Sequence, residues 1–144
     1  IWQIRRDPHN KLFLNGIVPN PRPEGFYNGN FQEKKVSWIG KKFNSANSTG
    51  INIFKEVVVN SIHRDDDKVI KSERYPFVTF VGKGLSDKNI DVFKIDYNIP
   101  KNPFWLRLIL DEIVEINPNE YLGKLQLRIL PGYPFTIAYF ELKK

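Results

Sequence analysis

The chain has 144 residues, of which 41% are hydrophobic and 14% aromatic, and this is the composition of one globular domain rather than of a disordered segment. It contains no cysteine, which excludes disulfides, thiolate metal sites and a cysteine nucleophile. The net charge is +6, but the basic residues occur as pairs among acidic ones, so nucleic acid is not the expected partner.

The sequence shows no segment that would cross or enter a membrane. No apolar run approaches the roughly 20 residues of a membrane span, so no transmembrane segment is predicted. The opening IWQIRRDPHN lacks the order of charge, apolar stretch and small residues of a signal peptide. The chain has no methionine even at position 1, which suggests a missing or processed N-terminus. The lack of cysteine favours a reducing compartment such as the cytoplasm or an organelle stroma or matrix.

Residues 1–24 are predicted to form an irregular arm that lies over the domain. VPNPRPEG (Val18–Gly25) contains three of the ten prolines, which remove backbone donors and favour an extended or turning path. One short helix is expected near Lys11–Leu14. The arm is also a candidate surface for a protein partner, and residues 25–144 form the domain itself.

From Gly25 onward, segments of strand length alternate with turn clusters of Gly, Pro, Asn, Asp and Ser. The clearest alternation lies in YLGKLQLRIL (Tyr121–Leu130), where the apolar side chains share one face. This spacing predicts an all-β fold, a single antiparallel up-and-down barrel of about eight strands. The exception is residues 103–108, whose pattern predicts a short helix before a strand over Glu112–Ile116.

One pattern occurs three times, as WIGK (Trp38–Lys41), FVGK (Phe80–Lys83) and YLGK (Tyr121–Lys124). In an extended strand the aromatic residue and the glycine face one side, and the aliphatic residue and the lysine face the other. A ring two positions from a glycine can cover the bare backbone where a barrel wall bends. We therefore expect three bends in a barrel wall, with the rings inside and the three lysines in solvent.

The chain offers little for a metal or nucleotide site. His9 and His63 are the only imidazoles, and Asp65–Asp67 lack the glycine and distal glutamate of a calcium loop. Neither GxxxxGK[ST] nor GxGxxG occurs. The sequence therefore predicts no metal and no cofactor.

Asp111 and Glu112 are the candidate catalytic residues because they fall within an apolar strand. A carboxylate inside a barrel would have its pKa raised by desolvation and could act as an acid or a base. Tyr97 or Tyr121 would be its neighbour. The alternative is that both acids face outward or lie at the edge of the strand.

Two groups of motifs resemble a known family. WIGKKF (Trp38–Phe43) followed by GINIF (Gly50–Phe54) is similar to the opening of the lipocalin-like domains of the GXWXG type, a group of uncharacterised function. KIDYNIPKNP (Lys94–Pro103) and DEIVEINPNEYLGK (Asp111–Lys124) extend the likeness over most of 25–142. The resemblance implies a calycin-like barrel with an apolar interior, and it implies no reaction. Position 36 is valine, so this chain lacks the glycine of the lipocalin Gly-x-Trp motif.

The predicted function is the binding of a small apolar or amphipathic ligand, such as a lipid, isoprenoid, pigment or steroid-like molecule, in the barrel. The candidate lining residues are aromatic, and the alternation of side chains along each strand is expected to point them inward: Trp38, Phe54, Phe80, Phe93, Tyr97, Tyr121 and Tyr139. Three alternatives stay open. The rings could fill a dense core, the cavity could belong to a lyase, cyclase or isomerase acting on an apolar substrate, or the chain could be a subunit of a larger assembly.

Overall fold

The fold was examined in a computed structural model, which describes residues 8–31, 37–58, 68–130 and 133–144. Within these ranges it contains one α-helix, one 3-10 helix (Leu106–Leu108) and eight strands. The strands pair antiparallel in chain order, and β1 also pairs with β8, which closes the barrel. The elements are α1 (Pro8–Asn15), β1 (Gly25–Phe31), β2 (Trp38–Asn44), β3 (Thr49–Val58), β4 (Lys68–Lys83), β5 (Asp91–Asp96), β6 (Ile109–Asn117), β7 (Glu120–Leu130) and β8 (Tyr133–Lys143).

The predicted all-β barrel is confirmed. The helix expected near Lys11–Leu14 is α1, which is longer at its start than the prediction. The helix expected near 103–108 is the single 3-10 turn, and β6 begins directly after it at Ile109 rather than at Glu112. The strand extends further than predicted because Ile109, Leu110 and Asp111 pair with β7.

Aromatic rings occupy much of the barrel interior. Tyr27 and Tyr121 meet there, with 3.2 Å between their hydroxyl oxygens and 5.0 Å between their ring centroids. Phe43 contacts Tyr27 edge to face at 5.7 Å between ring centroids, an arrangement that aromatic pairs prefer. Burial of these large rings contributes to the apolar driving force for closing the barrel.

Glycines in the barrel wall lie beneath rings from the neighbouring strand. Gly123 is paired with Phe140 and Gly50 with Phe77, and a Cβ atom added at either glycine would overlap the ring. The sequence prediction placed the covering ring two positions away in the same strand. The ring comes instead from the paired residue, because paired residues on antiparallel strands are only about 5 Å apart and residues i and i+2 are further apart.

The described part of the arm, residues 8–24, lies against the outside of the barrel. Phe13 of α1 is fully buried and packs in one cluster with Val92, Val114, Leu122 and Tyr139. Beyond the helix, Ile17 and Glu115 exchange two backbone hydrogen bonds of 3.1 and 2.7 Å. The outer face of the wall under α1 is therefore a second buried layer. The hypothesis that 1–24 binds a protein partner stays a prediction.

Replacing Gly123 by alanine should lower the free energy of unfolding by about 1–3 kcal/mol, the usual cost of forcing extra atoms into a packed core. The matched control is Gly82→Ala, where the nearest atom to the added Cβ is Lys94 Cε at 3.2 Å, which has to move by only a few tenths of an ångström. The control should be neutral or slightly stabilising. Urea unfolding of both variants checks this, and equal losses would show that Phe140 can move away from Gly123.

Candidate functional site

A cavity of about 450 Å³ lies inside the barrel. It reaches solvent beside Trp105, which is 57% exposed, and beside the exposed Ser37. Rings and aliphatic side chains form most of its wall, and a small group of polar side chains forms the rest. The lining residues are Phe31, Ser37, Trp38, Lys41, Asn52, Phe54, Tyr75, Tyr97, Trp105, Leu106, Ile109, Asp111, Leu125 and Phe140.

The rings of the wall touch one another and so hold the cavity open. Tyr75 contacts Phe54 and Trp105 edge to face, with ring centroids 5.6 and 6.0 Å apart. Trp38 contacts Phe140 in the same way at 5.9 Å. Edge-to-face pairs of this kind add roughly 0.5–1.5 kcal/mol each beyond their buried area. The apolar part of the cavity is therefore a continuous surface of packed rings.

Lys41 lies at the centre of the polar part of the cavity. Its side chain is almost completely buried, at 3% exposure for the residue. The Nζ atom lies 2.8 Å from Asn52 Oδ1 and 3.1 Å from Asp111 Oδ2, and it also donates to the hydroxyl of Tyr97. The rings of Trp38, Phe77, Tyr97 and Phe140 lie about it, with centroids 5.1–5.5 Å from Nζ.

Asn52 organises this cluster because its side-chain oxygen accepts two hydrogen bonds and its side-chain nitrogen donates two. Its Oδ1 accepts hydrogen bonds from Lys41 Nζ and, at 2.9 Å, from Trp38 Nε1. Its Nδ2 donates to the backbone oxygen of Tyr75 at 3.0 Å and to the hydroxyl of Tyr97 at 2.9 Å. Both the amide orientation and the positions of its neighbours are thereby fixed.

Burial shifts the pKa of each ionisable group in the cluster. Desolvation lowers the pKa of Lys41, and the charge of Asp111 partly opposes this. Desolvation raises the pKa of Asp111, and Lys41 partly opposes that shift. Burial, together with the charge of Asp111, raises the pKa of Tyr97 well above its ordinary value. Desolvation is the largest cause for both partners, so each charge only partly offsets the burial of the other.

A β-bulge in β2 turns Lys41 inward. Trp38 pairs with Phe54 and Gly40 with Ile53, so two steps on β2 match one step on β3. Gly40 has a φ of +155°, and an added Cβ would overlap the backbone oxygen of Tyr27, so this position requires glycine. The extra residue places both Trp38 and Lys41 on the inner face.

The seven predicted lining residues lie in four environments: the cavity wall, the interior core, the exposed outer face and the outer face beneath α1. Trp38, Phe54 and Tyr97 line the cavity. Phe93 and Tyr121 are buried in the interior core but do not line the cavity.

The two other predicted lining residues lie on the outer face of the barrel, so the expectation that their rings point inward is wrong. Phe80 is 44% exposed and pairs with Lys94, whose neighbours in β5, Phe93 and Ile95, belong to the interior core. Tyr139 is buried beneath α1 and its hydroxyl lies 3.1 Å from Asn10 Oδ1.

The two candidate acids lie on opposite faces of β6. Asp111 lines the cavity, where the Tyr97 hydroxyl lies 3.1 Å from its Oδ2, so the alternative that both acids face outward is wrong. Glu112 lies on the outer face, but it is fully buried rather than solvated. It accepts hydrogen bonds from Lys94 Nζ at 2.7 Å and from the backbone nitrogen of Leu85 at 2.9 Å.

The expectation that all three repeat lysines face solvent is wrong for two of them. Lys83 is exposed, as predicted. Lys41 is inside the barrel because of the bulge. Lys124 lies on the outer face but is only 2% exposed, because α1 and the segment after β4 cover it. Its Nζ contacts Asp87 at 2.6 Å, Asn10 at 2.7 Å and the ring of Phe13 at 4.5 Å.

Sequence reasoning missed both Lys41 and Asn52 as residues of the cavity. The signal for Asn52 was present, since it is a lone amide between Ile51 and Ile53 in an apolar strand. A polar residue in such a place is normally hydrogen-bonded to a partner inside the protein. The remaining missed residues are Phe31, Ser37, Tyr75, Trp105, Leu106, Ile109, Leu125 and Phe140.

No metal-binding cluster of three or more His, Asp or Glu side chains is found among the residues that the structure describes. His9 lies beside Tyr139, with ring centroids 5.6 Å apart. His63 and Asp65–Asp67 lie outside the described residues. Neither helix in the described part of the chain is long and apolar enough to span a membrane.

Comparison of the chain with family models, with curated proteins and with solved structures finds no match. The eight-stranded antiparallel up-and-down barrel is shown by the structure itself. The resemblance to GXWXG-type lipocalin-like domains rests on the sequence motifs and stays a prediction.

Replacing Lys41 by methionine should lower the free energy of unfolding by about 3–5 kcal/mol at neutral pH, because it leaves the Asp111 carboxylate buried without a counter-charge. The loss should be smaller at acidic pH. Asp111 has a raised pKa in the folded state, so its contribution is favourable below the unfolded value of about 3.9 and is lost as the pH rises through the folded value.

The matched control is Lys83→Met, which removes a lysine of the same repeat whose 3.0 Å ion pair with Asp91 is exposed. This variant should change stability by less than about 1 kcal/mol. Urea unfolding from pH 4 to pH 8 measures both variants. Equal effects of the two substitutions at every pH would contradict the buried ion pair.

Proposed function

We propose that the protein binds a small apolar or amphipathic molecule inside the barrel. The observation that carries this proposal is the apolar surface of the cavity. Rings and aliphatic side chains form nearly all of that surface, and the cluster of Lys41, Asn52, Tyr97 and Asp111 is buried directly behind it. Ligand sites are usually lined in this way, by apolar side chains with a few polar groups close by. A lipid, isoprenoid, pigment or steroid-like compound fits this description.

The size of the cavity supports the same proposal. Its volume of about 450 Å³ lies within the range of roughly 300–1,000 Å³ that small-molecule sites occupy. Eight-stranded barrels are just wide enough to hold one small ligand when side chains do not fill them. The cavity is bounded by rings that contact one another, so the guest would enter a site that is already formed in this structure.

The family resemblance adds independent support. WIGKKF (Trp38–Phe43) and GINIF (Gly50–Phe54) contribute Trp38, Lys41, Asn52 and Phe54, all of which line the cavity. The motifs that resemble lipocalin-like domains of the GXWXG type are thus the strands that build the candidate site. We propose on this basis that the chain is a calycin-like barrel of that type.

An enzyme acting on an apolar substrate is the second candidate, and the contact between Asp111 and Tyr97 inside the cavity favours it. A carboxylate and a phenol at hydrogen-bond distance can move a proton to or from a bound molecule, as a lyase, cyclase or isomerase requires. Glu112 and Tyr121 do not line the cavity, so this role would fall to Asp111 and Tyr97. A substrate recovered chemically unchanged after incubation with the protein would oppose this candidate.

The protein should bind the neutral apolar dye Nile red with a rise in the dye's fluorescence. Leu125→Trp, which places a larger side chain in the cavity wall, should weaken this binding by about tenfold or more, which corresponds to roughly 1.4 kcal/mol. The matched control is Ile129→Trp, a substitution in the same strand at a side chain that is 56% exposed. The control should bind the dye like the unaltered protein.

Circular dichroism of both tryptophan variants should verify that the barrel is intact. If the unaltered protein does not bind Nile red, or if the two variants bind it equally well, the cavity is not the binding site. Dye binding that depends on Leu125 but not on Ile129 is the result that the proposal requires.

A further inference from the structure

We infer that the cavity takes the hydrocarbon end of an amphipathic molecule and leaves the polar end outside, at the opening beside Ser37 and Trp105. The ligand class is therefore a molecule with one apolar end and one polar end, whose polar end can be charged or large, as in a fatty acid, an alkylamine or an alkyl glycoside. This inference rests on the proposed function, because it states which part of the guest the same cavity holds.

The polar side chains next to the cavity are engaged with one another. Lys41 Nζ donates to Asn52 Oδ1 and to the Tyr97 hydroxyl. The carboxylate of Asp111 lies beside this ammonium group as its counter-charge, with Oδ2 3.1 Å from Nζ. The Tyr97 hydroxyl donates to Asp111 Oδ2, and the Asn52 amide nitrogen donates twice. A polar group of a ligand would join this cluster only by displacing a protein partner, which would leave a buried polar atom unsatisfied.

The cluster is also closed off from the space inside the cavity. Its four residues, Lys41, Asn52, Tyr97 and Asp111, are only 2–4% exposed. Asp111 Oδ1 has no hydrogen-bond partner within the described ranges, but this oxygen has almost no accessible surface either. Carbon atoms form nearly all of the cavity surface. A polar end placed inside would lose its water without gaining a partner, and this lowers affinity by about fivefold to a hundredfold.

The opening of the cavity offers the polar end what the interior lacks. Ser37, which directly precedes β2, is exposed, and Trp105 is 57% exposed. A polar end that stays between these two residues keeps its hydrogen bonds to water, and its charge is screened by solvent and salt. The hydrocarbon end meanwhile gains about fourfold in affinity for each methylene group that leaves water for the cavity. The chain therefore determines binding, and the polar end has little influence on it.

The test uses compounds that share an eight-carbon chain and differ in the polar end: octanol, octanoate, octylamine and octyl glucoside. Competition with Nile red at pH 7, below the micelle-forming concentration of each compound, measures each affinity. The four should bind within about fivefold of one another, the range that exposed charges produce. Octyl glucoside is decisive, because a sugar ring inside this apolar cavity would lose its water without gaining partners. If octanol displaces the dye and octyl glucoside does not, the polar end enters the cavity and the inference is wrong.

A second comparison uses 1,8-octanediol, which carries a hydroxyl group at each end of the same chain. One of its two hydroxyl groups must enter the cavity with the chain. The diol should therefore bind at least about tenfold more weakly than octanol in the same competition assay. Equal affinities of octanol and the diol would show that the cavity accepts a polar end, which contradicts the inference.

The variant Ser37→Lys places a positive charge at the opening. The ratio of octanoate affinity to octylamine affinity should rise by about fivefold at low ionic strength, because the added ammonium group attracts one polar end and repels the other. The matched control is Asn47→Lys, which adds the same charge in the exposed turn at the opposite end of β2 and should leave the ratio unchanged. An unchanged ratio in the Ser37→Lys variant would contradict a polar end at the opening.

The two proposals fail in different ways. If neither Nile red nor any of the alkyl compounds binds the unaltered protein, the proposed function is wrong and the inference falls with it. If Nile red binds in the cavity, as shown by weaker binding in the Leu125→Trp variant, but octyl glucoside does not compete with it, only the inference is wrong.

Discussion

The ammonium group of Lys41 lies inside the barrel, and a charge in that position must be balanced within the protein. Asp111 on β6 balances it, while Asn52 on β3 and Tyr97 directly after β5 supply the other acceptors. Each of these residues comes from a different segment of the wall. The cluster therefore forms only when the barrel is closed in the correct register, and the same register creates the cavity. An ion pair of this kind contributes little net stability, but breaking it is costly.

The barrel wall is buried on both faces at strand β6. Its neighbours Asp111 and Glu112 point to opposite sides, and both are buried. On the outer side, Glu112 is paired in register with Lys94 of β5 and with Lys124 of β7, so charges alternate across the three strands. This row lies beneath α1 and the segment that follows β4, where Lys124 meets Asp87 and Asn10. The described part of the arm is thus a cover for buried charge as well as for the apolar cluster around Phe13.

Much of the fold could be predicted from the sequence because its signals are local. Turn clusters separate the strands, and proline-rich and apolar patterns mark the arm, α1 and the 3-10 turn. It was harder to predict which side chains point into the barrel, because inward and outward positions alternate only while a strand is regular. The bulge between Trp38 and Gly40 reverses the face of Lys41, and only the glycine in WIGKKF signals it. In β4 both faces carry apolar residues, so Phe77 and Phe80 could not be assigned to inside and outside from the pattern.

The candidate site was partly predictable for the same reason. The alternation of side chains along the strands correctly placed Trp38, Phe54 and Tyr97 inside the barrel. It also placed Lys124 on the correct, outer face, but the side chain is buried there rather than exposed. Its burial depends on α1, which contacts it from more than a hundred residues away in the chain. Contacts at that separation leave no local trace in a single sequence. The polar cluster was missed because a lysine in a strand reads as a surface residue until its carboxylate partner is known.

The most direct test of the account is a crystal structure of the protein with Nile red bound. The account predicts the dye inside the barrel, between Phe54, Tyr75 and Trp105. It also predicts that Lys41 Nζ stays beside Asp111 Oδ2. Nile red bound outside the barrel, or a cavity filled by its own side chains, would contradict the account.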